Sequence, residues 1–84
     1  MDSKSYFENG LEKINKKDFH GAIEDFTIAI NIGNESSLNL ADIYFKRAVA
    51  YFLVINPEQS TSDLLKAGEL DPKYNNQELF WNEF

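Results

Sequence analysis

The chain has 84 residues, 43% of them hydrophobic and 14% aromatic, a formal net charge of −6 and no cysteine. This is the length of one small domain. The lack of thiols excludes disulfides and thiolate metal sites, and the apolar content exceeds that of a disordered chain. The negative charge disfavours nucleic-acid phosphates and the anionic inner leaflet of a membrane, so neither is an expected partner.

The first helix is marked by Phe7, Leu11 and Ile14, which fall at i, i+4 and i+7 on one stripe. It should fade at Lys17, and Asp18 then supplies a cap whose carboxylate accepts from a free amide one turn on. A second stripe follows in Phe19, Ala22, Ile23, Phe26, Ala29 and Ile30, with Gly33 placed to close it in a left-handed conformation. Asn34-Glu35-Ser36-Ser37 reads as a loop, with Ser37 or Asn39 as the next cap. The third helix has its body from Ile43 to about Leu53 and is apolar nearly all round, as suits a helix flanked on two sides. Its apolar run from Ala48 to Ile55 is too short for a bilayer, which takes about 20 residues. No apolar leader follows Met1, and a cytoplasmic protein is expected.

Asn56-Pro57 is a start signal, a cap residue followed by proline at the first helical position. That helix runs to about Leu70, with Leu64, Leu65 and Ala67 inward, and Asp71-Pro72 stops it. A last helix over about 76–84 carries Leu79, Phe80, Trp81 and Phe84.

Comparison of the chain with itself brings out a repeat. Tyr6 and Tyr44, Phe7 and Phe45, Gly10 and Ala48, Ala22 and Ser60, Phe26 and Leu64, and Ala29 and Ala67 are all 38 residues apart. Two helices in a hairpin approach closely only where side chains are small. Gly10 with Ala22, and Ala48 with Ser60, are therefore the expected contacts, with Phe26 and Leu64 filling the space beside them.

The segment Tyr6-x-x-x-Gly10 … Asp18-Phe19-x-x-Ala22-Ile23-Glu24-Asp25-Phe26-x-x-Ala29-Ile30 resembles a tetratricopeptide repeat. So does Tyr44-x-x-x-Ala48-x-x-Tyr51 … Ser60-x-x-x-Leu64-x-x-Ala67 … Leu70-Asp71-Pro72. The resemblance implies one all-α domain over 1–84, a right-handed superhelical array of two antiparallel hairpins (about 4–33 and 41–74) and a capping helix (about 76–84). The family period is about 34 residues, and the four extra residues are expected in the Gly33–Asn39 loop. Lys13 stands where the family carries an aromatic, Asn9 where it carries Leu, and the first repeat lacks the terminal proline.

The resemblance also implies a protein–protein interaction module. Its concave groove would be lined by Phe7, Leu11, Ile14 and Asn15 from the first helix and by Phe45, Lys46, Val49, Phe52 and Leu53 from the third. Of these, Ile14 and Phe52 are better placed in the core. The family's chaperone-binding carboxylate clamp is absent, since its positions hold Phe7, Leu11 and Lys46. Phe80, Trp81 and Phe84 cannot all be buried by one amphipathic helix, which makes a homodimer through this tail the alternative.

No catalytic constellation emerges. His20 is the single histidine and lies near only Asp18 and Glu24, which makes neither a metal-ligand set nor a triad. Ser60-Thr61-Ser62-Asp63 reads as a polar helix face, and Glu24-Asp25 as a solvated one. The expectation is a protein or peptide binder, not an enzyme, with no cofactor.

Overall fold

The computed structural model describes residues 1–33 and 36–84, and for residues 37 and 38 the backbone alone. Among the described residues five helices follow one another: α1 (Ser3–Asn15), α2 (Phe19–Ile32), α3 (Ser37–Leu53), α4 (Pro57–Leu70) and α5 (Gln77–Trp81). A 3₁₀ turn, Pro72–Asn75, precedes α5, and there is no strand among the described residues. α1 pairs with α2 and α3 with α4, while α2 packs on α3.

The caps have local causes. Asp18 Oδ1 accepts from the Gly21 amide at 3.0 Å, and Asn56 Oδ1 from the Gln59 amide at 3.4 Å. Gly33 closes α2 at φ 70°, the left-handed conformation that glycine adopts without steric cost. Ser36 caps α3, its Oγ accepting from the Asn39 amide at 3.3 Å, in place of the expected Ser37 or Asn39. The expected loop residues Asn34 and Glu35 lie outside the described residues.

The duplication extends to the backbone. α2 and α4 are 14 residues each, and their bounds are 38 residues apart. α1 and α3 end in the same register, at Asn15 and Leu53. Both then turn through a residue of positive φ, Lys17 at 64° and Ile55 at 59°. The bonds at that turn also match: Lys17 N–H donates to Ile14 and Asp18 N–H to Lys13, as Ile55 does to Phe52 and Asn56 to Tyr51. α3 starts at Ser37, a turn earlier than the register of α1 requires. The extra residues expected in the loop thus largely lengthen a helix.

Small residues sit buried at both joints. Gly10 and Ala22 are buried, and the Phe26 ring lies where a Cβ on Gly10 would be. In the second hairpin the Ser60 hydroxyl donates to the Ala48 carbonyl at 2.8 Å. Ala22, Phe26, Ala29, Ile43 and Ala50 form one core cluster, and Phe45, Ala48, Val49, Ala67 and Phe80 another. Residues of α3 contribute to both, which is why that helix is apolar nearly all round.

Each hairpin also buries an acid at the equivalent position of its second helix, Asp25 and Asp63. Lys13 Nζ lies 2.9 Å from Asp25, which gives a purpose to a lysine where the repeat pattern has an aromatic. That hydrogen bond raises the Lys13 pKa above its ordinary value. Arg47 grips Asp63 with two bonds, at 2.7 and 2.8 Å, and donates to Thr27 Oγ1 at 3.1 Å. Its guanidinium lies over Tyr44 and Tyr51, at 5.4 and 5.6 Å from the ring centroids. Burial opposes the charge on Arg47, yet the Asp63 carboxylate holds its pKa above the ordinary value. Ser60 and Asp63 are thus interior bonding groups and not part of a solvated face; Asp25 likewise is buried.

Candidate functional site

The expected groove on α1 and α3 is largely filled by the chain itself. Phe45 and Val49 are 4% and 3% exposed and are not available to a ligand. The Tyr74 ring stacks on Phe45 with centroids 4.4 Å apart, and Phe80 meets Phe45 edge-on at 6.3 Å. Lys46 is half-buried and ion-paired to Glu83, which ties the end of the chain across α3. Tyr74 hydroxyl donates to Asp42. Burial first, then that carboxylate, push the Tyr74 pKa well above the ordinary 10.0.

On α1, Phe7 is half-buried with its ring 5.7 Å from Phe26, and Leu11 and Ile14 pack on the same core. Asn15 is exposed. What stays open between α1 and α3 is a depression of about 180 Å³ at Lys4, Phe7 and Ile43.

The larger opening lies at the other end of the molecule. A cleft of about 400 Å³ is walled by Leu64 and Leu65 of α4, Phe52 of α3, and Tyr74, Phe80 and Trp81 of the C-terminal segment. Phe52, expected in the core, is 39% exposed. Leu65, expected inward, is 66% exposed. Both residues line the cleft beside the C-terminal segment, whose α5 has only five residues. Of the three aromatics at the end of the chain, Phe80 is the anchor at 6% exposure, while Trp81 and Phe84 are 58% and 52% exposed.

These rings form one surface. Phe52 lies 5.6 Å from Trp81 and 5.1 Å from Phe84, and Trp81 lies 6.2 Å from Phe84. Exposed aromatics gathered in this way are the usual mark of a recognition face. Ile55 lies in the turn between the lining residues Phe52 and Pro57. It is 89% exposed and holds φ 59°, a conformation a β-branched residue rarely adopts.

Nothing in the cleft forms a catalytic set. Its hydroxyls are Ser60, Thr61 and Tyr74, and its amides Asn75 and Gln77, with no ionisable pair among the lining residues. His20 is exposed near the start of α2. Among the described residues no group of three or more His, Cys, Asp and Glu could hold a metal ion. No helix among them is long and apolar enough to cross a membrane.

No family model matches the chain, and comparison with curated proteins and with solved structures gives no match.

Proposed function

We propose that the chain is a helical-repeat module of tetratricopeptide type, a superhelical pair of hairpins with a short cap, that binds a polypeptide and carries out no chemistry. The observation that carries this reading is the aromatic cleft. Phe52, Trp81 and Phe84 stand exposed in mutual contact beside a 400 Å³ opening, of the size at which ligand-receiving clefts begin. The repeat register and the small-residue joints support the fold part of the proposal. The recognition face is moved from the α1–α3 groove to the α4–α5 cleft, because Phe45 and Val49 are covered. A cytoplasmic location goes with this reading, and fractionation of cells carrying the tagged chain tests it.

Trp81 is the single tryptophan and serves as a built-in reporter. Peptides selected from a random displayed library against the full chain should shift its emission to shorter wavelength on binding. They should lose affinity with Leu65→Glu and keep it with Asn15→Glu or Lys4→Glu. Selected peptides that leave Trp81 emission unmoved and depend on Lys4 and Asn15 would return the site to the α1–α3 face. Self-association is the second reading, favoured by the same exposed Trp81 and Phe84. Sedimentation velocity decides it: a dimer that Phe84→Ser dissolves supports it, and a monomer at high micromolar concentration rejects it.

A further inference from the structure

The two hairpins offer an internal comparison of what covers such a face. On α2, Ile23, Phe26 and Ile30 pack under Leu40, Ile43 and Ala50 of α3, a helix of 17 residues. Thr27, beside them, receives a hydrogen bond from Arg47 of that covering helix. The equivalent positions of α4 are Thr61, Leu64, Gly68 and Leu65, each 38 residues on. There the cover is a four-residue 3₁₀ turn and a five-residue helix. Gly68 and Leu64 are packed beneath it, while Thr61 and Leu65 remain exposed on the wall of the cleft. The face that a full helix closes in the first hairpin is half open in the second.

Two exposed acids are sequence neighbours of residues that line this opening. Glu58 follows the lining residue Pro57, and Glu78 follows Gln77. Both are exposed, and neither has an ion-pair partner among the described residues. The one lysine on this stretch of α4, Lys66, is engaged with Glu69 at 3.8 Å. A second copy of the chain, at a net charge of −6, would bring acid to acid.

We infer that the cleft between α4 and α5 receives a basic amphipathic helix of another protein, its apolar stripe on Thr61, Leu65 and Trp81 and its cations against Glu58 and Glu78. This rests on the cleft being the recognition face. It goes further in naming a helical and positively charged occupant. The mode is that of an amphipathic helix laid in an apolar groove, and the neighbouring acids select the sign of its flanks. α3 shows that the fold accepts such a helix, since it places Arg47 against the equivalent residue, Thr27, of the preceding hairpin.

The test uses the full chain and three labelled peptides: a leucine–lysine amphipathic helix, a leucine–glutamate helix of the same pattern, and a proline-interrupted leucine–lysine peptide of equal charge. Trp81 emission and peptide anisotropy are followed together. The leucine–lysine helix should bind and shift Trp81, and the other two should bind at least tenfold more weakly. Charge reversal at Glu58→Lys with Glu78→Lys should weaken it roughly tenfold, two exposed charge contacts of the usual size. Leu65→Glu is the control against attraction without seating. It adds an acid to the surface and should still abolish binding; if it disturbs the fold by circular dichroism, Thr61→Glu on the same wall replaces it. Binding that survives or strengthens in that variant overturns the proposal, as does equal binding of the acidic or the interrupted peptide. Should no helix bind while library-selected extended peptides shift Trp81, the helical occupant is rejected and the cleft stands. A dimer that buries Trp81 rejects the foreign partner in favour of a second copy.

Discussion

At the scale of single residues, the two hairpins solve one packing problem with two pairs of side chains. In the first, Gly10 leaves the space that the Phe26 ring occupies, and Phe26 is fully buried. In the second, Ala48 takes up a methyl group's room and the smaller Leu64 stands beside it. Gly10→Ala should therefore clash with a ring that has nowhere to go and destabilise by about 1–3 kcal/mol. Phe26→Leu alone should cost about 1 kcal/mol or more by leaving a void. The two together reproduce the second hairpin's pair, so the double variant should lose less than the sum of the singles. Chemical denaturation of the four proteins measures this, and strict additivity would mean that the two side chains do not share the space. Ile55 is a residue-scale cost of another kind. Ile55→Gly removes the steric penalty of a left-handed β-branched residue and should stabilise by about 1 kcal/mol, read as a raised denaturation midpoint. Lys17, at the equivalent turn, should gain less from the same change, since it lacks the second branch on Cβ.

At the scale of elements, the helices whose ends are set by their own side chains were legible in the sequence. Asp18, Gly33 and Asn56-Pro57 fix α2 and α4 through bonds that span three residues or a single backbone conformation. The start of α3 was not, because Asn34-Glu35-Ser36-Ser37 offers several competent caps within one turn. The last helix is shorter than its sequence predicts for a related reason. The 76–84 segment has the apolar content of a full helix, but Asn76 caps a helix that ends at Trp81. Asp25 and Asp63 share the 38-residue register and could have been found by it; a search confined to apolar and small pairs passes over them. The cleft could not be read in advance, because whether Leu65 is covered depends on how far a later element extends. That element is held by Tyr74, whose pKa is raised by burial and by Asp42. A phenol whose folded pKa lies above its unfolded value contributes stability that is whole below pH 10.0 and lost as pH rises through the folded value. Lys13, also raised from 10.5, weakens in the same direction. The wild type should lose stability above pH 10, with Trp81 emission reporting release of the C-terminal segment. Tyr74→Phe should retain the Lys13 part of that decline and lose the part seen at Trp81.

At the scale of the whole molecule, a repeat chain with nearest-neighbour contacts is free to unfold one hairpin at a time. This one has a device against that. α3 supplies Ile43 and Ala50 to one core cluster and Phe45, Ala48 and Val49 to the other. Arg47, on the same helix, holds Asp63 of α4 while donating to Thr27 of α2, so a single guanidinium joins three helices across the boundary between the hairpins. The Asp63 side chain is 4% exposed and that of Arg47 15%. Removing the cation strands a buried carboxylate, and loss of one partner of such a pair costs about 3–5 kcal/mol. In a domain of this size that is a large part of a total stability of roughly 5–15 kcal/mol. Wild-type unfolding should be a single transition, with far-ultraviolet circular dichroism and Trp81 emission giving the same midpoint. Arg47→Met should lower the midpoint sharply and separate the two signals, since the second hairpin loses its tie to the first along with its buried charge balance. Arg47→Met with Asp63→Leu removes both charges and restores apolar volume. It should regain most of the lost stability, while the coincidence of the two midpoints recovers only in so far as apolar contacts through α3, and not the guanidinium, couple the hairpins. A wild type already biphasic by these two signals would show that α3 does not bind the halves into one cooperative unit.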